Sequence, residues 1–207
     1  MSTAMKVAAR INRLKRGIPF SITGFYTLGS LSSVQKALSR LTKEKLIERV
    51  SKGIYVRPKP LKSMPSIKVG ASALQVARVW ANTHGYKLTN QGVEEAYRLG
   101  FQTQAPVKTV LWSNGPSRQF KVGHEIVEIR HITNTKLRWV NHPVGALLRG
   151  MSVTPADSVE IPVLQAALKR LSLTKTESLL AIKQLQSTQL VQAWQHKLES
   201  LEQTLAA

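Results

Sequence analysis

The stretch that decides the fold is residues 28–57, LGSLSSVQKALSRLTKEKLIERVSKGIYVR. Its first half predicts a helix over residues 32–43, because apolar residues recur there at the spacing of one helical face. These residues are Val34, Leu38 and Leu41. Ser32 and Gln35 match the S-x-x-Q capping-box pattern, so we expect the helix to begin at Ser32.

The opposite face of this helix is polar or basic and carries no acid until Glu44. Such a face suits the major groove of DNA, where glutamine can pair with adenine, arginine with guanine, and serine or lysine with base edges or phosphates. We therefore predict DNA-contacting side chains at Ser33, Gln35, Lys36, Ser39, Arg40 and Lys43.

Two short alternating strands follow within residues 46–57, and the turn between them contains Gly53. This pattern predicts a β-hairpin, whose basic residues would reach the minor groove or flanking phosphates. They are Arg49, Lys52 and Arg57. Apolar patterns upstream predict helices over 3–16 and 23–28, so residues 1–57 favour a winged helix-turn-helix. A three-helix core with a merely solvated basic face is the alternative.

The chain of 207 residues carries a formal charge of +19, which favours a polyanionic partner. The net charge is +12 over residues 1–65, +7 over 66–153 and zero over 154–207. The absence of cysteine excludes disulfides and thiolate chemistry. No apolar run approaches the roughly 20 residues of a membrane span, and residues 1–17 do not match a secretory signal. We therefore expect a cytoplasmic protein with no membrane partner.

A proline-rich stretch at residues 58–66 predicts a linker, after which residues 67–153 predict an α+β domain. Helices are expected over 66–82 and 91–99, and strands over 86–89, 107–112, 120–122 and 126–132. The turn of residues 114–118 joins two of the strands. Basic side chains at this turn and on the next strand are candidate contacts to a partner or to nucleic acid. They are Arg118 and Lys121.

Residues 154–207 predict a helical C-terminal segment, in which Thr174 and Glu177 form a capping box. Apolar residues in the last part repeat at helical spacing, at Leu190, Trp194, Leu198, Leu201 and Leu205. This stripe is expected to pack either on the chain's own body or in an interface with a second copy or another partner. Dimerisation stays open because helix-turn-helix proteins often pair to match palindromic half-sites.

The sequence favours no enzyme, no cofactor and no metal site. The five histidines lack H-E-x-x-H spacing, and the pairs Glu94/Glu95 and Glu125/Glu128 point in different directions on a helix or a strand. A nucleotidyltransferase is disfavoured because Gly29-Ser30 is followed by LSSVQKALSR, which has no acid to bind magnesium. A phosphate cradle at Ser113, Ser117 and Arg118 is a weaker alternative, because the stretch lacks the glycine-rich strand–loop–helix pattern of phosphate-binding loops.

Several of these motifs resemble the AbiEi-type antitoxins of abortive-infection toxin–antitoxin systems. The N-terminal resemblance lies in IPF at 18–20, LGS at 28–30, VQKALSRL at 34–41 and GIY at 53–55. In the second half it lies in APV at 105–107, SNGPSR at 113–118 and the strand pattern of 120–131. The resemblance covers roughly residues 5–150 and ends before the helical segment.

The resemblance implies a phage-defence antitoxin whose winged helix represses its own promoter and whose α+β domain neutralises a nucleotidyltransferase-like toxin. By matching positions, the resemblance gives the DNA-reading role to Ser33, Gln35, Lys36, Ser39 and Arg40 on the helix. It adds Lys52 on the β-hairpin, which is the wing of a winged helix-turn-helix. Three alternatives stay open: an antitoxin acting mainly by binding the toxin, a plain winged-helix regulator, and an RNA-binding protein. The last follows from the +7 charge of the middle domain.

Overall fold

The computed structural model describes residues 1–63 and 68–206 and shows a mixed fold of helices and β-sheets. The chain divides into two compact units. Unit 1 comprises residues 1–86 and 117–129, and unit 2 comprises residues 87–116 and 130–207. Both units are thus built from two separate stretches of the chain.

Unit 1 begins with helix α1 (Thr3–Arg13), a 3-10 helix (Ile22–Leu28) and helix α2 (Leu31–Lys43). Helix α1 ends three residues earlier than predicted, because Leu14 adopts an extended backbone. The predicted capping box at Ser32 is wrong: the side chain of Ser30 accepts a hydrogen bond from Ser33 N, and the helix starts at Leu31.

Three short strands complete this part of unit 1: β1 (Pro19–Ser21), β2 (Glu48–Ser51) and β3 (Ile54–Val56). They form an antiparallel sheet in the order β1-β3-β2. The hairpin of β2 and β3 turns through Gly53, whose φ of 73° is a left-handed conformation that favours glycine. The central strand β3 is fully buried. Apolar residues of all three helices pack into one core with Ile47 and Tyr55.

Helix α1 passes so close to the turn before α2 that a Cβ at residue 29 would clash with the side chain of Thr3. A Cβ added to Gly29 would lie 2.4 Å from Thr3 Oγ1 and 2.6 Å from Thr3 Cγ2. The β-branched side chain of Thr3 has few χ1 rotamers available in a helix, which limits how far it can move away.

We therefore expect Gly29→Ala to lower the free energy of unfolding by about 1–3 kcal/mol, as overpacking does elsewhere. Urea unfolding of the variant measures this loss. The double variant with Thr3→Ala should recover most of it, because the clashing atoms are removed. Equal stability of Gly29→Ala and the wild type would show that α1 shifts without cost.

The predicted linker of residues 58–66 contains a strand, β4 (Lys59–Pro60), which pairs antiparallel with β5 (Lys68–Val69). Residues 64–67 of this region lie outside the described residues. Helix α3 (Ala73–Thr83) begins later than the predicted residue 66, because Ser72 and Gln75 form a capping box there. Its buried face carries Ala73, Val76, Ala77, Trp80 and Ala81.

Strand β8 (Arg118–Val122) forms an antiparallel hairpin with β9 (Glu125–His131), and within unit 1 β8 packs on α3. The Glu125 carboxylate accepts hydrogen bonds from the first backbone amides of α3, at 2.8 Å from Ala73 N and 3.4 Å from Leu74 N. A negative charge at this helix end is favourable. Glu125 thus has a structural role and joins the hairpin to the helix.

Unit 2 contains an antiparallel pair, β6 (Leu88–Asn90) and β7 (Thr109–Ser113), and a set of helices. The helices are α4 (Gly92–Leu99), α5 (Pro143–Met151), α6 (Ile161–Arg170), α7 (Lys175–Gln186) and α8 (Gln195–Ala206). Short 3-10 helices cover Ala156–Ser158 and Gln189–Trp194. Helix α4 ends at Leu99, as predicted, with Gly100 as its C-cap in the left-handed conformation. The predicted capping box of Thr174 and Glu177 is confirmed.

The apolar stripe of the last helices packs into the core of unit 2. Trp194, Leu198 and Leu201 are buried there, and Leu190 and Leu205 pack against them partly buried. The indole Nε1 of Trp194 donates a hydrogen bond to Met151 O at 3.0 Å. Of the two expectations for this stripe, packing on the chain's own body is the one observed.

Candidate nucleic-acid interface

The polar face of α2 is exposed to solvent along most of the helix. Its inner face buries Val34, Ala37 and Leu38, which fixes the rotation of the helix and turns the other side outward. Five of the six predicted contact residues are exposed, and Ser33 is half-buried. The five are Gln35, Lys36, Ser39, Arg40 and Lys43.

Arg40 is paired with an acid one helical turn further along the chain, Glu44. Its Nε donates a hydrogen bond to Glu44 Oε1 at 2.9 Å, and the two side chains are 77% and 44% exposed. Exposed pairs at this helical spacing contribute only about 0.3–0.5 kcal/mol. The guanidinium can therefore leave Glu44 for another acceptor at little cost.

The β2–β3 hairpin places its three basic residues in different settings. Arg49 and Lys52 are exposed, with Lys52 at the tip beside Gly53. Arg57 is half-buried, and its Nη1 donates hydrogen bonds to Asn12 O at 2.7 Å and Leu14 O at 3.5 Å. Arg57 thus satisfies carbonyls at the end of α1, which favours a structural role over the predicted DNA contact.

Arg118 lies over two aromatic rings of unit 1. Its Cζ is 5.0 Å from the centroid of Trp80 and 4.9 Å from that of Phe120, so cation–π contacts hold the side chain in place. Lys121 is exposed, three residues further along β8. Because side chains alternate along a strand, Lys121 and Arg118 start on opposite faces of β8.

Lys52 and Arg118, which are 66 positions apart in sequence, line one cavity of about 440 Å³ in unit 1. Hydroxyl-bearing and aromatic residues line it too, and none of its lining residues is acidic. Sequence reasoning found the two cations but missed their neighbours Tyr26, Thr83 and His84. No sequence signal groups these residues, since a periodicity pattern does not report contacts between distant elements.

The turn at 114–118 has a hydrogen-bonded structure of its own. Ser113 is fully buried, and its Oγ accepts a hydrogen bond from Gly115 N at 3.0 Å. Asn114 Oδ1 accepts from Lys87 N at 2.8 Å, and His131 Nδ1 lies 3.0 Å from Gly115 O. Ser113 therefore has no free face for a phosphate, and this favours a structural role over the phosphate-cradle alternative.

Glu95, one of the carboxylates considered above, is buried in unit 2 beside Arg149. The two form an ion pair with 3.8 Å between Glu95 Oε1 and Arg149 Nη2, and Asn90 Nδ2 donates to the same carboxylate oxygen at 3.2 Å. Desolvation raises the pKa of Glu95 and lowers that of Arg149, while each charge partly offsets the shift of the other. The pair has a structural setting rather than a catalytic one.

Within residues 1–63 and 68–206, no group of three or more histidine or acidic side chains is placed to hold a metal ion. Over the same ranges, none of the helices combines the length and apolar character needed to cross a bilayer.

The sequence matches the model of a protein family over residues 6–179, and the chain belongs to that family, a family of unknown function (DUF6088). No curated protein matches the sequence. Among solved structures, the chain is similar to the crystal structure of the RV2827C protein from Mycobacterium tuberculosis. The two share 10% sequence identity with a TM-score of 0.39, and the match covers 95% of this chain and 79% of the other.

Proposed function

We propose that the chain is an antitoxin and transcriptional autorepressor that binds the promoter of its own operon through α2. The observation that carries the DNA-binding part is the exposed face of α2, where four polar or basic side chains stand outward over an apolar inner face. They are Gln35, Lys36, Ser39 and Arg40. These side chains match the hydrogen-bonding groups of base edges and phosphates in the major groove.

The elements around α2 support a winged helix-turn-helix interpretation of residues 1–57. Helix α1 and the 3-10 helix pack against α2, and the β2–β3 hairpin follows it, with the exposed Lys52 near its tip. In such proteins the helix enters the major groove, and flanking elements contact the backbone. The net charge of +12 over residues 1–65 would strengthen every such contact.

The antitoxin part of the proposal rests on the resemblance of residues 5–150 to AbiEi-type antitoxins. On that basis the partners are double-stranded promoter DNA and a nucleotidyltransferase-like toxin encoded beside the chain, with no cofactor and no catalytic residue. We place neutralisation in the α+β region rather than on α2. The two activities are then separable by substitution.

A carboxylate placed on the DNA-facing side of α2 tests this separation. Ser39→Glu is expected to abolish repression of a reporter driven by the upstream region of the chain's own gene, because it repels phosphates. The same variant should still rescue cells that express the neighbouring toxin. Gln184→Glu, an exposed position on α7, is the matched control and should preserve both activities.

Reporter repression and growth rescue are measured in the same strain. Full repression by Ser39→Glu would contradict the assignment of DNA contact to α2. Failure of the wild type to rescue growth would contradict the antitoxin part. If Ser39→Glu lost both activities while Gln184→Glu kept both, neutralisation would depend on DNA binding and the two activities would not be separable.

A further inference from the structure

We propose that the cavity containing Lys52 and Arg118, here called the K52–R118 cavity, binds a phosphate of the DNA backbone beside the segment that α2 contacts. The inference deepens the proposed function and rests on it. Unit 1 would then have a second DNA-contacting region besides α2. This region is formed by residues of α3, β8 and the β2–β3 hairpin.

The chemistry of the cavity matches a phosphate. Its two formal positive charges are Lys52 and Arg118, its polar lining includes the hydroxyl-bearing Thr23 and Tyr26, and no carboxylate lines it. In the described part of the chain, neither cation forms an ion pair or a side-chain hydrogen bond. Both therefore keep their full capacity to donate hydrogen bonds to an oxyanion.

Arg118 is positioned in advance for this contact. The rings of Trp80 and Phe120 lie 5.0 and 4.9 Å from its Cζ, and both rings are buried. A guanidinium held against aromatic rings can still donate from its edge, and it loses less side-chain entropy on binding than a free one. The planar donor fork suits the oxygens of a phosphate.

The position of the cavity favours the DNA backbone over a free phosphorylated ligand. Lys52 and Gly53, at the turn of the β2–β3 hairpin, form part of its wall, and that hairpin follows α2 directly. In winged helices this hairpin runs along the duplex beside the helix in the major groove. A backbone phosphate at the hairpin tip would therefore lie at the cavity.

The test is the salt dependence of binding to a duplex of the chain's own upstream region and to a scrambled duplex. Each phosphate contact adds about one to the slope of log K against log salt. We expect Arg118→Gln to lower the slope by about one for both duplexes and to leave their affinity ratio unchanged. Arg118→Lys should restore most of the slope.

Arg78→Gln is the matched control, since Arg78 is an exposed arginine on α3 outside the cavity. It should leave the slope unchanged. Urea unfolding of Arg118→Gln checks that loss of the cation–π contacts has not unfolded unit 1. If it has, Lys52→Gln keeps the test valid, because it removes the other cation of the cavity without touching those contacts and should also lower the slope by about one.

The outcomes separate this inference from the proposed function. A wild-type preference for its own duplex with an unchanged slope in Arg118→Gln, or in Lys52→Gln if Arg118→Gln has unfolded, would overturn the inference and leave the function intact. Equal binding to both duplexes with a lowered slope would support the cavity and overturn sequence-specific repression. Arg118-dependent binding of AMP or inorganic phosphate at micromolar concentration, without a change of slope, would assign the cavity to a small ligand instead.

Discussion

Replacing Arg40 with alanine is expected to weaken binding to the chain's own promoter duplex by about 1–3 kcal/mol, because a bidentate contact to guanine discriminates by that amount. Binding to a scrambled duplex should fall far less. The same reasoning applies to Gln35→Ala with adenine. Competition titrations with labelled duplexes measure both losses.

The ion pair with Glu44 calls for a specific control. Arg40→Ala also leaves the Glu44 carboxylate unneutralised beside α2, where it would repel any DNA. We therefore expect Glu44→Gln alone to tighten binding to both duplexes, and Arg40→Ala with Glu44→Gln to retain the specific loss. Arg13→Ala, an exposed arginine of α1, removes the same charge and should affect both duplexes alike. Equal losses on specific and scrambled DNA for Arg40→Ala in both backgrounds would contradict base reading by Arg40.

The second large effect is expected at the buried pair of Glu95 and Arg149 in unit 2. The Arg149 side chain is 3% exposed, and its Nε and Nη1 find no hydrogen-bond partner among the described residues. Removing one member of a buried pair leaves the other charge uncompensated and costs about 3–5 kcal/mol. We expect Arg149→Met to lower the free energy of unfolding by that amount at pH 7, as measured by urea unfolding.

The sign of the pH dependence follows from Glu95. Burial raises the pKa of its carboxyl, and loss of the Arg149 charge removes an opposing effect, so the pKa rises further in the variant. A group whose pKa is raised by folding stabilises the fold below its ordinary pKa of 4.5, and that stabilisation is lost as pH rises through the folded pKa. The deficit of Arg149→Met relative to the wild type should therefore grow from pH 4.5 to pH 7.

The double variant Glu95→Gln, Arg149→Met is the control, because no buried charge remains. It should be within roughly 1 kcal/mol of the wild type and should lose the added pH dependence. A pH-independent deficit in Arg149→Met would indicate that packing rather than the uncompensated charge sets its stability.

The elements predicted best are those that are determined by residues close together in the sequence. The outward face of α2 follows from the spacing of Val34, Leu38 and Leu41, and the turn at Gly53 follows from its residue type. The cap of α2 was misplaced because residues 30, 32 and 33 are all serines, and only the backbone geometry shows which one caps the helix.

Elements that depend on contacts distant in sequence were missed. Strand β1 has three residues and no alternation of its own, and it exists because β3 pairs with it. Helix α5 was not predicted because it is apolar nearly all round, as expected of a helix buried on most sides. The K52–R118 cavity joins the hairpin to α3 and β8, a juxtaposition that no local pattern contains.

The most direct test of the account is a titration of the full chain with a labelled duplex of its own upstream region and with a scrambled duplex, each at two salt concentrations. We predict a preference for the native duplex that persists at the higher salt, because base contacts do not depend on counterion release. Equal binding to the two duplexes that collapses as salt rises would contradict the account. It would reduce the +19 charge to non-specific attraction for phosphate.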